Sequence, residues 1–399
     1  MKNDRINDFR ESVHRELNKN IIPFWINYSV DESFGGFYGR IDNDLKIFKK
    51  ARKSLILTAR VLWTFSALYR IEKNNDYLKI AEHGYRFLND KLIDRKYGGS
   101  FWLVDYEGNV LETKKKIYGQ AFSIYALVEY FLATKDEEAL KQAVNIFNLI
   151  ENNNHDTENG GYFEAANRDW SATEEMRLSE VDMNEVKSMN THLHLMEAYT
   201  NLYRVWADAR LKSAIRELIS IFINHIIDKK KRHLQLFFDE VWGVKSDIIS
   251  FGHDIEASWL LCESAELLGD KDLLSSVRDA AVKLVDAVIE DGFSDGNAIY
   301  IEMNGKGEPF KNIQWWQQAE AVVGLLNAFE ISGDEKYFNR AFRAWRFIEK
   351  YFVDRKRGEW FYEVNEEKRP TETYYKVSEW KGPYHNSRAC MEIMKRLGY

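Results

Sequence analysis

Imidazole is the side chain whose ordinary pKa lies near neutrality, so histidines set beside polar groups at helical spacing are the first candidates for proton chemistry. Of the nine histidines, four fall in such surroundings: His192 and His194 in Asn190-Thr191-His192-Leu193-His194, His253 three residues before Glu256, and His385 shortly after Trp380. At about 100° per residue, His192 and His194 point roughly 200° apart, so only one can face a shared pocket. His194 lies on one face with Asn190 and Glu197 and is the functional candidate, leaving His192 a supporting or packing role. His253 and Glu256 also share a face, where the carboxylate would fix the tautomer of the ring and raise its basicity. His14, His83, His155, His225 and His233 lie elsewhere and read as structural or solvated.

Other residues that helix propensity does not explain accompany them: Arg60, Tyr118, Gln120, Trp315, Trp316, Glu320 and Trp380. A histidine and carboxylate set of this size could hold zinc or iron. No HExxH occurs, however, and the ligands would come from three distant helices, so no metal is expected. Trp102, Trp242, Trp315, Trp316, Trp360 and Trp380 fall in turn segments or close to these residues. Indoles mixed with Arg, Asn and Glu suit a carbohydrate, whose C–H faces stack and whose hydroxyls need donors and acceptors, although about half of them serve packing alone. Two reactions fit a sugar pocket. Glycoside hydrolysis needs two opposed carboxyl groups, for which Glu256, Glu302 and Glu320 are available. Moving the proton beside a sugar aldehyde needs bases poised near neutrality and a donor for the enediolate oxygens; repeated imidazoles fit this better, and the fixed fork of Arg60 is the candidate donor.

The elements that must position these residues are legible as a repeat. Six segments rich in glycine and aromatics, at 35–38, 98–102, 160–163, 233–238, 292–300 and 358–362, start about 60 to 70 residues apart. Between them the three- and four-residue apolar spacing predicts about twelve helices, over 4–28, 50–73, 76–94, 115–134, 136–152, 186–207, 209–227, 250–268, 271–290, 314–331, 334–353 and 379–396. Short polar breaks such as 72–76 and 332–335 imply antiparallel neighbours. The expected fold is all-α, an (α/α)6 barrel of six helical hairpins with short β-hairpins at one rim, forming a single domain over residues 1–399. An open solenoid is the alternative. The chemistry-bearing residues sit in every second helix, mostly in its first half, so one rim would gather them all.

Composition limits the partners. The 399 residues are 45% hydrophobic and 14% aromatic, enough for a large core. Two cysteines, Cys262 and Cys390, cannot build a disulfide framework. A net charge of −7 repels a phosphate backbone, which argues against nucleic acid, and no run reaches the length of a membrane span. The expectation is a cytoplasmic monomer acting on a small molecule.

Four stretches carry a resemblance to a known family: Met189-Asn190-Thr191-His192-Leu193-His194, Gly252-His253-Asp254-Ile255-Glu256-Ala257-Ser258-Trp259, Trp315-Trp316-Gln317-Gln318-Ala319-Glu320, and Trp380-Lys381-Gly382-Pro383-Tyr384-His385-Asn386. They resemble the signatures of cellobiose 2-epimerases, in the N-acylglucosamine 2-epimerase superfamily, and the likeness runs from about residue 6 to residue 396. It implies cofactor-free, reversible epimerisation at C2 of the reducing-end glucose of a β-1,4-linked disaccharide, through ring opening and a cis-enediolate. It further implies that His253 and His385 are the acid/base pair and that His194 acts near the ring oxygen or O1. Arg60, Tyr118, Asn190, Glu256 and Glu302 would be polar contacts, and Trp316 and Trp380 stacking walls. The alternatives are a monosaccharide or N-acylglucosamine 2-epimerase, an aldose-ketose isomerase, a glycoside hydrolase on the same barrel, and a silent sugar-binding protein.

Overall fold

The computed structural model describes residues 2–294 and 297–398, so positions 295 and 296 of the 292–300 segment lie outside the described residues. The chain forms α1 (Lys2–Glu16), α2 (Ile22–Tyr28), α3 (Leu55–Glu72), α4 (Asn75–Phe87), α5 (Ile117–Thr134), α6 (Glu137–Asn153) and α7 (Met189–Tyr203). It continues through α8 (Ala209–Ile221), α9 (Phe251–Leu268), α10 (Lys271–Asp291), α11 (Trp315–Ser332), α12 (Glu335–Tyr351) and α13 (Tyr384–Arg396). A π-helical turn at Leu17–Ile21 joins α1 to α2, and similar turns extend α4 and α8.

Helices α3, α5, α7, α9, α11 and α13 form an inner ring, each packed on the next, with α13 returning to α3. Their sequences explain the position. Every residue of α3 from Leu55 to Leu68 is buried, and so is every residue of α5 from Ile117 to Tyr130. A helix surrounded on all sides has no need of a polar face. Outer helices are amphipathic instead; α12 buries Tyr337, Phe338, Ala341, Ala344, Trp345, Phe347 and Ile348 and exposes Glu335, Lys336, Arg343 and Lys350.

Four inner helices, α3, α5, α9 and α11, pass to their outer neighbours through a tight turn. A left-handed residue ends the inner helix at Lys73, Lys135, Gly269 and Gly333. The next residue, Asn74, Asp136, Asp270 or Asp334, caps the outer helix through its side chain. Four hairpins arise this way, and the fifth, α7 with α8, is joined by a longer link in which Arg204 is right-handed and Asp208 caps α8. The sixth pair is made from the two ends of the chain, α1 packing on α13. Trp25 Nε1 donates to Glu359 at 2.6 Å, Trp345 Nε1 to Ser12 at 2.8 Å and Trp360 Nε1 to Glu16 at 2.9 Å, and these bonds seal it.

At one rim, the two residues before an inner helix pair with the loop that precedes the next inner helix. Lys53–Ser54 pairs with Leu103–Val104, Lys115–Lys116 with Ala165–Ala166, and Lys187–Ser188 with Phe237–Phe238. Ile249–Ser250 pairs with Glu302–Met303 and Ile313–Gln314 with Glu363–Val364. Val377 bridges to Ile41 and closes the circle across the chain ends. Two of the expected hairpins form at this rim, Leu103–Val104 with Val110–Glu112 and Glu302–Met303 with Pro309–Phe310, and the other strand pairs join successive units. The extended pair at Lys187–Ser188 also explains why α7 starts later than the apolar spacing predicts, with Ser188 accepting from the N–H of Thr191 as its cap, while α13 begins only after Pro383.

Buried ion pairs tie four of the loops to the ring. Lys53 Nζ meets Asp31 at 2.7 Å, Lys115 meets Asp94 at 3.1 Å, Lys187 meets Asp156 at 2.7 Å and Lys376 meets Asp354 at 2.7 Å. In the remaining two units Ile249 and Ile313 stand where lysine would be.

Candidate active site

The N-terminal halves of the inner helices surround a cavity of about 180 Å³ at the strand-bearing rim. Arg60, Tyr118, Asn190, His194, His253, Glu256, Trp316, Trp380 and His385 all line it, together with Trp315 and Tyr362. Nine of the ten site residues expected from sequence thus converge. Glu302 stands apart from this lining; it lies on the strand paired with Ser250, and burial with nearby Asp182 raises its pKa.

Each of the three imidazoles is anchored through Nδ1, which leaves Nε2 for the cavity. His194 Nδ1 meets Glu197 at 2.9 Å, one turn along its own helix. His385 Nδ1 meets Glu320 of α11 at 2.7 Å. His253 Nδ1 meets the hydroxyl of Ser250 at 2.7 Å. The His253–Glu256 pairing expected from i,i+3 spacing does not form. Glu256 Oε1 is taken instead by Arg388 at 2.6 Å, and its nearer imidazole is His385, at 3.9 Å. The reason is competition, since a charged guanidinium binds a buried carboxylate more strongly than a neutral ring does.

Burial disfavours the charged form of all three rings. It lowers the pKa of His194, with Arg60 and Arg388 pushing the same way against Glu197. His253 is pushed down to about 3 by burial and by the neighbouring His194 and His385. Burial, with Arg60 and Arg388, also brings His385 to about 3 despite Glu320. The carboxylates divide. Burial and the nearby Glu320 push Glu256 well above the usual range, and its Oε2 has no partner among the described residues. Glu320 resists its own burial because Arg388 and His385 hold it at about 2. Of this pair, burial favours the proton on Glu256 and the charge on Glu320, and the Glu320 carboxylate keeps His385 in the Nδ1–H tautomer with the lone pair on Nε2.

Aromatic walls complete the site. The Trp316 ring lies 4.8 Å from His253 and 5.4 Å from His385, between centroids. Trp380 lies 5.9 Å from Tyr118. Arg60 donates to the Trp380 carbonyl at 2.6 Å and to the Tyr118 hydroxyl at 2.9 Å, and its Nε has no partner, nor has Asn190 Oδ1, among the described residues. Beyond Trp380 a groove of about 580 Å³ opens, walled by Trp102, Arg52, Lys116 and Glu379. Trp242 and Trp360 serve packing: the first lies against His192 and His225, and the second is fully buried beside Trp345.

His192 holds the loop rather than the cavity, accepting the N–H of Tyr162 at 3.0 Å. Gln120, also grouped with the chemistry by its position, does the same for Ser100, donating to its carbonyl at 2.9 Å and accepting its N–H at 2.7 Å. Sequence reasoning missed Arg388, Tyr384 and Tyr362. Arg388 carried a usable signal, as an arginine three residues after His385 and so on the same face of the helix.

The carboxylates of Glu256 and Glu320 and a ring nitrogen of His385 lie within 4.8 Å of one another, a spacing that a divalent cation could use. The Arg388 guanidinium already bridges the two carboxylates, at 2.6 and 2.7 Å, and supplies the positive charge there.

A ring of paired helices that gathers imidazoles, indoles and one arginine into a small polar cavity defines a sugar-converting enzyme of the (α/α)6 class. A sequence profile described as N-acylglucosamine 2-epimerase (GlcNAc 2-epimerase) matches residues 36–389, and the chain belongs to that family. Among its relatives, the cellobiose 2-epimerase of Bacteroides fragilis is 43% identical over 385 residues, covering 96% of this chain and 98% of that protein. The cellobiose 2-epimerase of Dictyoglomus turgidum is 38% identical over 390 residues, covering 97% and 98%. The solved structure of the cellobiose 2-epimerase from Bacillus thermoamylovorans B4167 superposes with a TM-score of 0.94 at 39% identity, covering 98% of this chain and all of that one.

Proposed function

We propose that this isomerase inverts C2 of the reducing-end glucose of β-1,4-linked disaccharides, converting cellobiose to glucosyl-mannose and lactose to epilactose. The whole chain acts as one catalytic domain and as a monomer, without a cofactor. The observation that carries this reading is the convergence of three Nδ1-anchored imidazoles on one cavity beside Arg60. The cavity suits a single sugar ring, and the second ring continues past Trp380 into the groove.

The C2–H bond breaks as Nε2 of His385 takes the proton. The electron pair forms C1=C2, and the charge that develops on O1 is met by Arg60, Tyr118 and Asn190. As negative charge builds on the enediolate, His253, neutral until then, takes up a solvent proton and passes it to the opposite face of C2; C1=O re-forms, the ring closes, and His385 releases its proton to solvent. In the reverse reaction His253 takes the C2 proton and His385 returns one. His194, oriented by Glu197, serves ring opening, where a proton must reach the ring oxygen. Neutral Glu256 offers its Oε2–H to a sugar hydroxyl, and Glu302 receives the sugar edge nearest the rim.

Incubation with cellobiose in heavy water tests this. The expected product is glucosyl-mannose with deuterium at C2, seen by NMR. Free glucose as the product would instead indicate hydrolysis, and epimerised product without deuterium would exclude the enediolate.

A further inference from the structure

Two of the three imidazoles are connected beneath the cavity floor. On the epimerase reading above, we propose that Arg388 is a positioning residue that holds the His194 and His385 rings in register by gripping both carboxylates that anchor them.

The geometry is specific. Nη1 of Arg388 bonds Glu197 Oε1 and the Tyr384 hydroxyl, while Nη2 bonds Glu320 Oε1 at 2.7 Å and Glu256 Oε1 at 2.6 Å. Glu197 uses its other oxygen for His194, and Glu320 uses Oε1 for His385. Glu320 Oε2 accepts from Trp259 Nε1 at 3.0 Å, so this carboxylate is held from both sides. A guanidinium is planar and rigid, and the separation of its two nitrogens is fixed. The carboxylates from α7 and α11 therefore keep a fixed spacing, and with them the two rings they orient.

Arg388 does not line the sugar cavity. It borders a second cavity, of about 620 Å³, at the C-terminal end of the inner helices. It acts on the reaction through the carboxylates and not by touching substrate. Its guanidinium lies 4.3 Å from the Tyr384 ring centre and 4.7 Å from the Trp259 ring centre, faces that favour a cation.

The titratable groups facing this guanidinium are Glu320 from α11, the Tyr384 hydroxyl from its own helix, Glu197 from α7 and Glu256 from α9. Tyr125 of α5 feels both Glu197 and Arg388. On the cavity side, Arg60 of α3 lies 5.3 Å from the Tyr384 ring centre, and His253 faces both other imidazoles. Removing the Arg388 cation leaves Glu197 and Glu320 less neutralised. Both rings then protonate more readily, which takes base from the reaction at a higher pH.

The test compares wild type, Arg388→Met and Arg388→Lys on cellobiose, recording kcat, KM and the pH dependence of kcat/KM. For Arg388→Met the expected result is a kcat lower by about 100-fold, KM within threefold of wild type, and an acid limb of kcat/KM moved up by about one pH unit. Arg388→Lys keeps a charge but not the fork, so kcat should fall at least tenfold while the acid limb stays near that of wild type. A folded Met variant that loses activity with an unmoved acid limb shows a structural role only and overturns the proposal. Should the Met variant not fold, the Lys variant decides, and a kcat within threefold of wild type overturns it. A wild type inactive on every sugar disaccharide would instead count against the epimerase reading itself.

Discussion

His385 and His253 differ in what holds them, and that difference supports the roles proposed for them. A carboxylate on Nδ1 commits His385 to presenting its lone pair, whereas the Ser250 hydroxyl can donate or accept and so leaves His253 free to carry a proton. Replacing either ring with alanine should cost about 10²–10⁴-fold in kcat, as expected for a lost acid or base, with the circular dichroism spectrum unchanged. Glu320→Gln removes the charge that fixes the His385 tautomer and should lower kcat while leaving KM for cellobiose nearly constant. The pH dependence has a definite sign. A base fails when it becomes protonated, and burial lowers the pKa of His385 from the ordinary 6.5 to about 3. The plateau of kcat/KM should therefore extend below pH 6.5 before activity falls. A limb centred at 6.5 or above would show a solvated ring in that role.

At the level of elements, the strand that directly precedes α3, α5, α7, α9 and α11 fixes where each of these helices begins and hence which residues reach the cavity. The buried Lys187–Asp156 pair secures one such strand to its loop. Burial alone would raise the pKa of Asp156, but Lys187 and the N–H groups of Asn159 and Glu158 hold it at about 2. The stability this carboxylate contributes is present above its unfolded pKa of about 4 and is lost as pH falls towards 2. Lys187→Met leaves the carboxylate buried without its cation and should cost about 3–5 kcal/mol in urea unfolding. Adding Asp156→Asn should recover much of that loss, since the amide oxygen still accepts from the loop N–H groups. A double variant no more stable than the single one would show that the cost lies in the lost lysine packing. The chain itself contains the apolar solution at Ile249 and Ile313.

The whole molecule is a closed ring whose sixth pair is assembled from sequence ends more than 300 residues apart, as the Trp345–Ser12 and Trp360–Glu16 bonds record. Deleting residues 2–28 removes no residue of the cavity but strips the outer cover from α13, which carries His385 and Arg388. Such a protein should aggregate or elute as an expanded species and lose activity. The ends also meet, with Arg10 donating to the Gly398 carbonyl at 3.3 Å. A circular permutant reopened at the exposed Gly269–Asp270 turn, with the original ends linked, should keep the activity of the parent, because ring closure needs the contacts and not the chain order. Loss of both folding and activity in that permutant would mean that the order of assembly matters.

Much of this was legible before any coordinates. Apolar spacing marked the helices, and the repeated glycine-aromatic segments marked the six units, because both report local backbone preference and one-sided burial. The same regularity placed His194, His253 and His385 in the first halves of alternate helices, so the sequence alone determined that they share one rim. Local spacing could not assign partners. Glu256 sits one turn from His253, yet it belongs to Arg388, while His385 is oriented by Glu320 from another helix. The cross-pairing of α1 with α13 and the strand pairs between units were equally hidden. Carboxylate, imidazole and guanidinium find their partners by distance and burial across the ring, and those quantities exist only once six separate stretches of chain have been brought together.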